Sequence, residues 1–350
     1  MNKSRLRKPF YLTVAALVLA VLTGALLSGC APDGGNNGEL VVYNARSETF
    51  VKPLLDQFEE ETGIRVRVLS GKEELVNQIE EERNNVRADV FISNDAGAME
   101  YLRRQDLLAP NDSPALEKID ERFRASDGSW VGLSARARVL IYNKDLISEA
   151  EMPKTLQELA DPKWEEKFMI TRGGNSSMVT HVAALREAWG DEETGSWLSA
   201  LHQNAGAITG GHTDIRRAVG AGEYPFGLVN NYYYHLQLEE DRDNKVGAIY
   251  PDQGESEMGA FVNVAGVALI DGAPNEENAG AFIDWMLEDE QQFEFSYHSK
   301  ETPLNPEIRA PEGAKEIDQY RAMDINLTDL GPHWPDAKEL IQESGLDLGI

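Results

Sequence analysis

From residue 39 onward, apolar and polar positions change period repeatedly, and each change marks a new element. Glu39 to Tyr43, ELVVY, is a short apolar run with β-branched residues and reads as a strand. Phe50, Val51, Leu54, Leu55 and Phe58 follow at helical spacing, in a helix opened by Ser47 or Glu48 and stopped by Thr62-Gly63. Ile64 to Leu69 alternates apolar residues with arginine, a second strand. A helix from about Lys72 to Asn84 and the strand ADVFIS, 88–93, complete a βαβαβ unit. That is the opening of a doubly wound α/β sheet.

The alternation continues. Ala98 to Arg104 is helical, GLSARARVLIYN is a long strand, and TLQELADPKWEEKFMI ends in a strand near Ile170. Helices are expected at Val179 to Trp189, Gly195 to Gln203 and Asp214 to Ala221. Strands follow at PFGLVNN, GAIYP and VNVAGVALI, then helices at Asn275 to Leu287 and Asp289 to Tyr297. Two strands, near 134–142 and 256–264, read as crossovers between lobes. The first lobe would then take 39–133 plus 264–310, the second 140–255, with a C-terminal helical segment at 311–350 packed on the outside.

The first thirty residues have a different character. Lys3, Arg5, Arg7 and Lys8 precede an apolar run from about Phe10 to Leu27, which ends in Leu27-Ser28-Gly29-Cys30. A basic start, an apolar middle and small residues before a cut describe a secretory signal. The ending resembles a bacterial lipobox, in which Cys30 becomes the lipidated first residue of the mature chain. A single membrane-spanning anchor is the competing reading of the same run. Residues 31–38, small and turn-rich, read as a flexible tether. The chain is expected in the periplasm or on the outer cell surface, touching a membrane only through its lipid. Cys30 is the only cysteine, so the exported domain has no disulfide and relies on its core.

The 350-residue chain carries 33 basic and 60 acidic side chains, a net charge of −27. Removing residues 1–30, with four basic residues and no acid, takes the net charge to about −31. This excludes nucleic acid and anionic lipid surfaces as partners. No Gly-x-Ser-x-Gly, His-Glu-x-x-His or Gly-Lys-Ser/Thr phosphate loop is present, and the lone cysteine belongs to the signal, so no enzyme is expected.

In open α/β sheets, ligands bind at the carboxyl ends of strands. Four polar loops stand there: Asn44 to Glu48, Asn94 to Gly97, Thr171 to Ser177, and the run Asn230-Asn231-Tyr232-Tyr233-Tyr234. Each precedes a helix, whose first N–H groups suit an anion. TRGGNSS, with Arg172, Gly174, Asn175 and Ser176, is the best such site. Arg136 and Arg138, two apart on a strand, should share a face. Ser47, Asn94, Asp95, Asn230 and Asn231 are candidate cleft residues. The tyrosines invite two readings, packing residues with a polar tip or anionic oxygen ligands for a hard metal ion.

The segments VVYNARSETFVKPLLDQFEEETGIRV, SGKEELVNQIEEERNNVRADVFIS, NNYYYH and TPLNPEI resemble the periplasmic ferric-ion-binding proteins of ABC importers. The resemblance runs through most of residues 39–310. It implies a two-lobed periplasmic-binding-protein fold of type II, with two crossover strands as hinge. It also implies a monomer that captures Fe(III) between its lobes and delivers it to an ABC permease and its ATPase. The family's adjacent tyrosine ligands map onto Tyr232 and Tyr233, with Tyr234 facing away. Deprotonated phenols suit a hard trivalent ion. Neighbouring residues reach one ion only at a bend or helix start, because strand neighbours point apart.

The chain departs from the family pattern at other positions. A first-loop His is replaced by Ser47, a Glu after the ADVF strand by Asn94 with Asp95 next, and a further Tyr is absent, with Met178 in that region. His-free branches with a Y-x-x-R-S-E first loop imply Tyr43 as third ligand. A carbonate-like anion would be held by Arg46, Arg136, Arg138, Arg172 or the amides of Gly173 to Ser177. The six histidines show no metal spacing. The rival reading is a binding protein of the same fold for an organic anion, a polyamine or thiamine, without iron.

Overall fold

Residues 38–72, 74–240 and 245–346 are described in a computed structural model of the protein. The expected signal, Cys30 and nearly all of the tether lie outside them. Strand β1 (Glu39–Asn44) lies between two parallel neighbours, β2 (Arg65–Ser70) and β3 (Val90–Ser93). Helix α1 (Glu48–Thr62) joins the first pair. Its buried Val51, Leu54, Leu55 and Phe58 recur every three or four residues, forming one apolar stripe against the sheet. Gly63 ends it at φ 71°, a left-handed turn that returns its N–H to the Glu59 carbonyl. Helix α2 (Glu74–Glu81) leads to β3, and α3 (Ala96–Arg104) follows, capped by Asp95, whose carboxylate accepts from the Gly97 N–H at 2.8 Å.

The pivotal element is β4 (Trp130–Asn143), fourteen residues buried throughout. Trp130 to Ala137 pair antiparallel with β9 (Val262–Leu269), and β9 pairs with β3. From Arg138 to Tyr142, β4 pairs instead with β7 (Phe226–Asn230). Strand β7 is parallel to β5 (Phe168–Thr171), and β5 to β6 (Ala205–Thr209). Two short strands, β8 (Val246–Ile249) and β10 (Thr302–Pro303), add to β4 in its second and first half respectively. Strand order is therefore continuous, β2-β1-β3-β9-β4-β7-β5-β6, but β4 changes partners between Ala137 and Arg138. The result is two α/β lobes sharing one strand, a type II two-lobe fold.

Strand β6 was not legible in the sequence, where AGAIT follows a helix and is too short and mild to break the pattern. The remaining helices are α4 (Ser176–Trp189), α5 (Asp191–Asn204), α6 (His212–Ala221), α7 (Asn231–Glu240), α8 (Glu276–Met286), α9 (Asp289–Ser299) and α10 (His333–Glu343). The C-terminal segment does not lie wholly outside, because Trp334 of α10 is 4% exposed and reaches the cavity described next. Among the described residues no helix is long and apolar enough to cross a membrane.

Candidate functional site

A cavity of about 610 Å³ opens where the carboxyl ends of β1, β3, β5 and β6 and the start of α7 converge. It is lined by Ala45 to Ser47, Ser93 to Asp95, Gly174 to Ser177 with Arg172, Gly210 to His212, and Tyr232 and Tyr233. Several helix N-termini meet there, so the field favours negative charge. Side chains reinforce it. Arg46, Arg136, Arg172 and Lys72 line the cavity of a chain that is strongly acidic overall, and Asp95 is the one carboxylate lining it.

The tyrosines owe their geometry to a junction. Strand β7 ends at Asn230 and α7 begins at Asn231, so Tyr232 and Tyr233 occupy the first helical turn, where neighbours diverge by about 100° rather than 180°. Both line the cavity, with ring centroids 4.3 Å apart. Tyr232 is 8% exposed, with Phe50 edge-on at 6.4 Å. Burial pushes its phenol well above the ordinary value near 10; Tyr233 adds to the shift and Arg136 opposes it. Without a cation the Tyr232 proton stays on. Tyr234 is absent from the lining and packs against His235.

Arg136 is 2% exposed, and its Nε and Nη2 have no hydrogen-bond partner among the described residues. A buried guanidinium facing a cavity in that state is suited to an incoming oxyanion. Arg46, also in the lining, is anchored. Its Nη1 lies 3.2 Å from Glu301 Oε2, the Ser134 hydroxyl donates to the same oxygen, and Phe295 packs under the guanidinium at 4.7 Å. At the start of α4, Asn175 caps the helix by accepting from the Ser177 N–H at 3.1 Å.

Several expected residues lie elsewhere. Tyr43 does not line the cavity. Its hydroxyl donates to Glu82 Oε2 at 2.8 Å and accepts from Gln78 at 3.1 Å, because the strand alternation turns it toward α2 and the chain after it. Burial and Glu82 raise its phenol to about 12. Arg138 lies behind the lining, one step deeper than Arg136 and still close enough to feel its charge. Its Nη1 donates to Asn230 Oδ1 at 3.1 Å and lies 3.3 Å from His212 Nε2. Burial, then Arg136, pulls Arg138 down to about 9. Asn230 also donates to Ser177 Oγ, and Asn231 accepts from the Ala137 N–H at 3.0 Å, so both asparagines are joinery rather than lining. Asp95 lines the cavity, but its oxygens are engaged by Thr180 and Gly97.

Sequence reasoning missed His212, as it missed Lys72 and Trp334 in the same lining. His212 is buried, its ring lies 4.9 Å from that of Tyr233, and burial followed by Arg138 holds it well below the ordinary histidine range. The local signal, Ile208-Thr209 and then Gly210-Gly211 before a helix, is the strand-loop-helix order of the other loops, but the strand that carries it is too short to stand out.

The cavity, its helix ends and its split strand are those of a binding protein, and sequence comparison names which kind. Residues 54–324 match the model of the bacterial extracellular solute-binding proteins. The chain belongs to that family. It is 31% identical to iron uptake protein A1 of Synechocystis sp., over 97% of this chain and 99% of that protein. Among solved structures, iron-bound HitA from Pseudomonas aeruginosa superposes with a TM-score of 0.83 at 28% identity, covering 88% of this chain and 99% of that one. The Trichodesmium protein IdiA (FutA), in complex with iron and citrate ligands, superposes with a TM-score of 0.79 at 30% identity, over 89% and 100%.

Proposed function

We propose that this family member is an extracytoplasmic ferric-ion receptor of an ABC importer. The observation that carries the reading is the pair Tyr232 and Tyr233, side by side in the first turn of α7 and facing a cavity rich in cations. Binding would replace two phenol protons by one Fe(III), whose charge offsets the burial that otherwise keeps Tyr232 protonated. Two phenolates leave most of a ferric coordination sphere open. A carbonate-like or carboxylate anion fills it, held by Arg46, Arg136, Arg172 and the start of α4 at Gly174, Asn175 and Ser176. The Trichodesmium relative with iron and citrate supports such a pairing. The lobes close by bending at the shared strand β4 and at the second crossover near residues 256–264. Cys30 would carry the lipid that keeps the receptor at the membrane, as a monomer, beside its permease and ATPase.

The test is a ferric titration of the chain from residue 31, in bicarbonate or citrate, followed by visible absorbance. A saturable one-to-one ferric–phenolate band in the wild type, lost in Tyr232→Phe/Tyr233→Phe, is expected. No band with any of these anions overturns the iron reading and leaves an organic anion as the cargo.

A further inference from the structure

Asp95 and Thr180 belong to different lobes. Asp95 sits at the end of β3, in the sheet with β1 and β9, whereas Thr180 is on α4, which follows β5 in the other sheet. Both are buried, and the Thr180 hydroxyl lies 2.5 Å from each Asp95 oxygen. The same hydroxyl accepts from the Trp334 indole N–H at 3.2 Å. Trp334 arrives on the C-terminal segment, which is held on both sides. Toward the first lobe, the indole lies 5.4 Å from the Tyr101 ring, and a Cβ on Gly97 would come within 2.5 Å of it. Toward the second lobe, Arg186 on α4 donates to the His333 carbonyl at 3.2 Å, and His333 Nε2 lies 3.0 Å from Glu187.

We propose that the chain Asp95–Thr180–Trp334 is a catch between the lobes, and that Thr180 and Trp334 are positioning residues that set how long the cavity stays closed over its cargo. A buried carboxylate is expensive to leave without donors, so separating the lobes at this point breaks a charge-assisted hydrogen bond that water must replace. Thr180 lies outside the cavity lining, and Asp95 is committed to this contact rather than to a metal. The link therefore acts on the equilibrium between open and closed forms, not on coordination. Gly97 is small for the same reason: a side chain there would push the indole out of the seam.

The experiment compares wild type, Thr180→Val, Thr180→Ser and Trp334→Phe, each checked by urea unfolding. Small-angle scattering of ligand-free protein reads lobe separation. Loss of the ferric band to excess EDTA reads release, and this arm rests on the iron reading. Thr180→Val should keep the wild-type band position, scatter as a more open particle and release iron roughly ten-fold faster, the scale of one hydrogen bond to a charged group. Trp334→Phe, which loses only the neutral bond to the Thr180 hydroxyl, should move scattering and release the same way by less. Thr180→Ser, which keeps the hydroxyl, should restore wild-type behaviour. Scattering and release both indistinguishable from wild type in Thr180→Val would overturn the catch. If the wild type shows no ferric band, the iron reading fails, and the scattering arm still decides the catch.

Discussion

The rings of Tyr232 and Tyr233 lie 4.3 Å apart at an interplanar angle of 32°, both at the cavity wall. Consecutive residues achieve this because the strand-to-helix junction falls immediately before them. Either single phenylalanine substitution therefore removes one anionic oxygen while leaving the other in place. We expect each of Tyr232→Phe and Tyr233→Phe to weaken ferric affinity by about 100-fold or more, since even outer partners of metal ligands are worth about 10–100-fold. Competition against a chelator of known affinity measures it. Unchanged affinity in both would make the pair packing residues.

Tyr43 makes the opposite prediction. Its hydroxyl is held by Glu82 and Gln78, away from the cavity. Tyr43→Phe should leave the ferric band and affinity at wild-type values and lower unfolding stability by about 1 kcal/mol, one net hydrogen bond. A blue- or red-shifted band in this variant would return Tyr43 to the coordination sphere.

Arg46 and Glu301 form an ion pair whose side chains are each 1% exposed. Removing one charge strands the other. Glu301→Gln is expected to cost about 3 kcal/mol in urea unfolding, the lower end for breaking a buried pair. It should also loosen anion binding, because Arg46 loses the partner that aims it. A variant as stable as wild type would mean the Arg46 charge finds solvent or another partner.

Asp252 gives a pH dependence. Burial raises its carboxyl from 3.8 to about 6, with Glu257 and Glu158 adding to the shift and the Leu156 N–H opposing it. The fold thus prefers the neutral acid, while the unfolded chain ionises near the ordinary value. The stabilising contribution is full below about pH 4 and is lost as pH rises through 6. Asp252→Asn should therefore raise stability at pH 7.5 by up to about 3 kcal/mol and flatten this part of the pH profile. Asparagine also tolerates the φ of 59° found there. Equal pH profiles for the two proteins would contradict the assignment.

Local pattern was enough for much of this protein. The apolar stripe of α1, its Gly63 stop, the strand β4 and the first-lobe βαβαβ order all follow from side-chain period and backbone preference, which act over a few residues. The four polar loops and the tyrosine pair were legible for the same reason, as strand ends that run straight into helices. What tertiary structure decided is which of those side chains meet. Arg46 is aimed by Glu301, 255 positions away, and Asp95 is claimed by Thr180, whose hydroxyl in turn accepts from Trp334. Of the two neighbouring arginines only Arg136 reaches the cavity, while Arg138 is taken up by Asn230 and His212 behind it, and His212 enters the site only because β6 lies beside β5. Contacts of that range depend on how sheets pair and lobes meet, and no spacing along the chain encodes them.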